Sequence, residues 1–69
     1  MKFKVGDHVR IITKEYGDLW YNKVGTVKDI YTNEQVSIDV EHLSEKYFGA
    51  FFERELKKIS KQEYFLEVL

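Results

Sequence analysis

Apolar and polar residues alternate most cleanly along Val36-Ser37-Ile38-Asp39-Val40-Glu41. A period of two places Val36, Ile38 and Val40 on one face of an extended strand and Ser37, Asp39 and Glu41 on the other. Residues 8–14 carry a related pattern, with Val9 and Ile11 set against Arg10 and Lys14, entered through the turn signal Val5-Gly6-Asp7. Ile12 breaks that alternation and falls on the wet side, so another part of the chain is expected to cover it. Residues 15–23 form a long connection marked by Gly17-Asp18. Residues 24–31 are rich in β-branched side chains, and Gly25 inside them predicts a close backbone approach or a bulge.

Thr32-Asn33-Glu34 is the polar turn that would join this strand to the next as a hairpin. Residues 47–52 are a further strand-like run, with Gly49 predicted as a bulge at a sharp bend. Residues 52–56 are expected to make one helical turn, and Leu56-Lys57-Lys58-Ile59 to return as a short strand. Short strands at this spacing, parted by turn signals, predict a small barrel or sandwich. The end of the chain does not fit a solvated tail. Tyr64, Phe65, Leu66, Val68 and Leu69 are too apolar for that. Residues 1–59 are therefore read as the barrel. Residues 60–69 are read as an apolar extension, either packed on the barrel as an extra strand or helical turn, with Ile12 beneath it, or forming an interface such as a homodimer contact. The packed alternative is favoured, because a small core recruits every apolar residue it can.

Composition narrows the class. A chain of 69 residues is one domain near the lower size limit for an autonomous core. It has no cysteine, so neither a disulfide nor a thiolate-bound metal supports the fold. Five Phe, five Tyr and one Trp supply large apolar areas instead. Eleven basic and twelve acidic residues nearly cancel, unlike the basic footprint of a nucleic-acid binder. No apolar run approaches a membrane span, and MKFKVGD is not a signal peptide. A cytoplasmic protein is expected.

In this order, Val9-Arg10-Ile11, then Trp20-Tyr21-Asn22 followed by Val24-Gly25-Thr26-Val27, then the ending Glu55-Leu56-Lys57-Lys58-Ile59, resemble the SH3-like barrels. Within that class the chain is most similar to the photosystem I PsaE family of electron-transport accessory proteins. It resembles the KOW modules of transcription and ribosomal proteins more weakly. The resemblance implies an all-β fold: a small SH3-like barrel of about five short strands with a single helical turn before the last strand. It also implies a docking module that performs no chemistry itself. The chain departs from the PsaE pattern in its slightly acidic balance, its longer first connection, a hairpin turn without a basic residue, and its apolar tail. The absence of proline and the abundance of Lys, Ile, Tyr and Asn suggest an AT-rich genome, such as that of a low-GC bacterium or its phage.

Candidate chemistry is sparse. His8 and His42 lack the further ligands that a metal site needs and are read as surface histidines. Ser37, Ser44 and Ser60 have no catalytic frame, Glu53 and Glu55 are read as part of a solvated charged face, and no phosphate-binding glycine loop is present. No enzyme activity, metal or cofactor is expected. The candidate partner-binding residues are Tyr16, Trp20, Tyr21 and Asn22 in the long loop, a composition favoured at binding hot spots. Of the adjacent Trp20 and Tyr21, one is expected to be buried and the other exposed. A basic contact made by Arg10, Lys14, Lys23 and Lys28, with an aromatic stacking on bases, is the alternative. The expected function is a non-enzymatic protein-binding accessory or regulatory module. A KOW-like nucleic-acid or ribosome-associated module is the second reading.

Overall fold

The computed structural model describes residues 2–31, 35–42 and 45–68, without the side chains of residues 40–42 and 45–48. Thr32-Asn33-Glu34 and Ser44, and the side chains of Val40 and His42, therefore lie outside the described residues. The segments read as extended form the strands β1 (His8–Ile11), β2 (Val24–Ile30), β3 (Gln35–His42), β4 (Glu45–Phe52) and β5 (Leu56–Ile59). A single 3₁₀ turn, Glu53–Glu55, precedes β5, and a helix, α1 (Lys61–Val68), follows it. All five strands join one antiparallel sheet in the order β4-β3-β2-β1-β5. The result is a small, mainly β domain with the strand succession and lone helical turn of an SH3-like barrel.

The entry to β1 is a tight turn in which the Asp7 N–H reaches the Lys4 carbonyl at 3.0 Å. Gly6 takes φ +96° there, the left-handed conformation that a type II turn requires at its third residue. The Asp7 carboxylate accepts the Lys4 N–H at 2.9 Å and faces Lys58 at 3.5 Å. These contacts hold its pKa below the usual carboxylate range, the Lys4 N–H being the main cause.

Alternation sends Val9, Ile11, Val27, Val36, Ile38, Phe51 and Leu56 into one buried cluster, joined by Phe3 from the N-terminal arm. Phe51 comes from one edge strand and Leu56 from the other, so the sheet curls until its two edges share a core. The curl has a local cause in β2, whose register against β3 slips between Val27 and Asp29. The extra residue, Lys28, makes a bulge, and a bulge bends the strand and raises its twist.

Gly49, predicted as a bulge of that kind, is not one. It pairs with Ile38 in a regular ladder. A Cβ there would stand 3.3 Å from Phe51 Cε2 and 3.4 Å from Trp20 Cη2, so the glycine makes room for two rings. Gly25 is likewise in regular register, opposite Val9 and Val40. Gly49→Ala is expected to lower stability by about 1–2 kcal/mol through overpacking. Thermal melts followed by the emission of the sole tryptophan check this, since the added methyl group would crowd the Phe51 ring and touch the indole.

The helix α1 completes a second, smaller cluster. Ser60 Oγ accepts the Glu63 N–H at 3.0 Å, a side-chain cap that starts α1. Tyr64 is buried against Val24 and Ile59, with Val68 beside them. Val24 and Ile59 stand on the outer face of the sheet with His8 and Arg10, and α1 covers that face. Ile12 remains half-exposed, contrary to the expectation that the tail lies over it. Phe65 and Leu66 point outward from the helix and stay exposed.

Candidate functional site

The long loop is built from successive tight turns. Gly17, at φ +86°, donates to the Lys14 carbonyl and in turn accepts the N–H groups of Trp20 and Tyr21 at 3.2 Å. Asn22 takes φ +65°, a left-handed conformation that asparagine tolerates better than most residues. The Asn22 N–H then rejoins Ile11 at 2.9 Å, which closes the loop onto the end of β1. Trp20 and Tyr21 thus sit in a turn, not on an extended segment. Trp20 is half-buried and packs against the main core, while Tyr21 is exposed under the Lys14 ammonium, 5.0 Å from its ring centroid. Tyr16 and Leu19 are exposed as well.

Tyr16 and Trp20 lean back onto β4. Both stand steeply to the Phe51 ring, at 78° and 66°, with centroids 5.3 and 5.4 Å away. The three rings, with Gly49 and Ala50, line an open recess of about 200 Å³ between the loop and β4. Glu55 secures this arrangement from behind. One of its oxygens accepts the Tyr16 hydroxyl at 2.8 Å and the other accepts the Phe52 N–H at 2.8 Å. Glu55 is buried, which corrects its reading as part of a solvated face. The signal was present in the chain: a glutamate three residues beyond the last strand residue is the spacing at which a carboxylate reaches back to the residue that starts a helical turn. Phe51, Gly49, Ala50 and Glu55 were all missed as site residues.

The hydrogen bond to Glu55 raises the Tyr16 pKa above its ordinary value, with burial and the charges of Glu55 and Glu15 adding to it and Arg54 opposing. A raised pKa means that the folded state holds the phenolic proton more tightly than the unfolded chain. This contribution is complete below the unfolded value near 10 and is lost as pH rises through the higher folded value. Alkaline melts are expected to show a fall in stability that begins near that unfolded value and is weaker in Tyr16→Phe. A fall of equal size in both proteins would show that Tyr16 is not its source.

The basic candidates do not form a common free stripe. Arg10 is held by Glu63 at 3.0 Å, Glu67 at 2.7 Å and the Asn22 carbonyl at 2.9 Å. Lys28 faces Asp39 at 3.9 Å on the bulge of β2. Lys14 lies on Tyr21, and Lys23 is half-buried at the loop end. His8, read as a surface histidine, is half-buried instead: its ring stacks on Tyr64 at 4.0 Å and its Nδ1 lies 3.1 Å from Thr26 Oγ1. No helix among the described residues is long and apolar enough to cross a membrane. Compared with protein-family models, curated proteins and solved structures, the chain matches none.

Proposed function

We propose that this chain is a non-enzymatic protein-docking module whose contact surface is the aromatic loop together with β4. One observation carries the reading. Tyr16, Leu19 and Tyr21 stay exposed on a loop anchored by backbone hydrogen bonds, beside a recess walled by Tyr16, Trp20 and Phe51. Tyrosine and tryptophan on a preordered support give large contact area at low entropic cost, which is why they dominate binding hot spots. The same observation makes Asn22 a support of the loop conformation. A nucleic-acid reading finds less support, since Arg10 and Lys28 already face carboxylates and would have to exchange them for phosphates.

A photo-crosslinking residue at position 21, compared with one at position 28, tests this in cells that make the protein. Protein adducts at position 21 that survive nuclease treatment are expected. Adducts that vanish with nuclease, or form only at position 28, would favour the nucleic-acid module. Once the crosslinked partner is identified, Tyr21→Ala is expected to weaken its binding by about 2 kcal/mol with the barrel still folded.

A further inference from the structure

The helix α1 is seated on the sheet without being part of the main core. Among the described residues, the main cluster contains none from α1, and the second cluster takes only Tyr64 and Val68 from it. Ser60 alone separates β5 from α1. It belongs to the helix as its cap, its carbonyl accepting the Tyr64 N–H and its hydroxyl the Glu63 N–H, each at 3.0 Å. Among the described residues no backbone hydrogen bond joins α1 to a strand. Side chains therefore make the whole attachment, and eight residues form only a marginal helix when unsupported.

The seat is held from below. Arg10 Nη1 donates to the Asn22 carbonyl at 2.9 Å and to Asn22 Oδ1 at 3.3 Å. Its Nη2 is left facing the helix, where it donates to Glu63 at 3.0 Å and to Glu67 at 2.7 Å. The His8 ring has Thr26 Oγ1 3.1 Å from its Nδ1 and turns its face to Tyr64, with the two rings within 12° of parallel. Val24 and Ile59 complete the apolar floor. Each of these groups is positioned by the sheet or the loop, not by α1.

We infer that α1 is a self-docked segment that blocks a second docking surface, whose external occupant is an acidic helical segment of a partner protein. The pattern it must carry, Glu-aromatic-x-x-Glu-aliphatic, is set by what the surface holds. Glu63 and Glu67 lie one turn apart, as do Tyr64 and Val68, so both pairs meet the sheet together. The Arg10 side chain is only 15% exposed when covered, and an occupant without carboxylates would strand its charge there. This surface is separate from the aromatic recess, and Asn22, which closes the loop and holds Arg10, is common to both.

A tethered helix competes at an effective concentration on the order of millimolar. Weakening α1 therefore strengthens external binding, whereas weakening the seat removes it. The test uses the full chain, isotope-labelled, with a capped peptide of the sequence of residues 60–68 as probe. Binding is read from the amide shifts of Val24 and Thr26, and the sole tryptophan reports that the barrel stays folded. The chain carrying Glu63→Gln and Glu67→Gln is expected to bind the peptide at least about tenfold tighter than the parent. Adding Arg10→Gln should remove that gain, and glutamine in place of both peptide glutamates should weaken binding by about tenfold. A helix with a structural role alone would show no such opposite signs. Unchanged or weaker binding to the doubly substituted chain overturns the inference, as does indifference to the peptide's own glutamates. Amide exchange on the unaltered chain needs no variant. The amides of residues 65–68 are expected to exchange at least about a hundredfold faster than those of Ile11 and Val27, which are bonded within the buried sheet. Equal protection would mean that α1 leaves only when the whole domain unfolds, and would overturn the inference. A concentration-dependent dimer that exchanges α1 between copies would also overturn it, by making a second copy the occupant.

Discussion

Phe51→Ala is expected to unfold the domain or bring it close to unfolding. The ring is buried in the main cluster and stands steeply to the rings of both Tyr16 and Trp20. Truncating a buried phenylalanine removes its transfer free energy and leaves a cavity, together about 3–5 kcal/mol. A domain of this size has a total stability on the order of 5 kcal/mol. Partial collapse of the loop onto the vacated space would recover some of the loss, at the expense of the recess. Phe52→Ala, one position along on the half-buried side of β4, should cost clearly less. Chemical denaturation of the two variants decides the matter. A Phe51→Ala midpoint within a few tenths of molar of the parent would mean that the two edges of the sheet do not depend on a shared core.

Glu55→Ala is expected to have the next largest effect, about 2–4 kcal/mol. The substitution leaves the Phe52 N–H and the Tyr16 hydroxyl without their acceptors at 2.8 Å. A donor stranded away from water costs about 1–3 kcal/mol, more than the net gain from forming an ordinary hydrogen bond. Glu55→Gln retains one acceptor oxygen and should lose roughly half as much. Lys57→Ala, exposed on β5, should lie within about 0.5 kcal/mol of the parent. Thermal melts give the ranking. Partner affinity measured on Glu55→Gln adds a second readout, because releasing Tyr16 loosens one wall of the recess while the domain stays folded. If Glu55→Ala melts with the parent, the buried carboxyl group is not what joins the loop to the 3₁₀ turn.

The tail shows how a small core is supplemented. The outer face of β1, β2 and β5 carries Val24, Ile59 and the His8 ring, a combination that would be poorly solvated if left bare. Covering it with α1 adds a second apolar cluster, and Arg10 fastens the helix through Glu63 and Glu67. These ion pairs are partly exposed, and such pairs contribute at most about 1 kcal/mol each. Most of the attachment therefore comes from the apolar packing of Tyr64 and Val68.

The strands were legible in the sequence because a half-buried strand imposes a period of two on its own residues. Val9, Ile11, Val27, Ile38 and Leu56 could be assigned to one core from alternation alone, and they share it. The lone helical turn before β5 and the aromatic character of the loop were legible for the same reason: each is a local property of adjacent residues. What only the tertiary structure decided depends on groups far apart in the chain. Gly49 looks like a bulge until Trp20, twenty-nine residues earlier, is seen lying over it. Glu55 resembles its solvated acidic neighbours until the Tyr16 hydroxyl reaches it across the fold. Arg10, named only as a candidate for a basic contact, receives its counterions from a helix at the opposite end of the chain. Val24 and Ile59 give no sign in sequence that their outward positions are covered. Backbone alternation is written into neighbouring residues, whereas the burial of a charge, the room left by a missing Cβ and the pairing of a cation are set by which surfaces the curled sheet brings together.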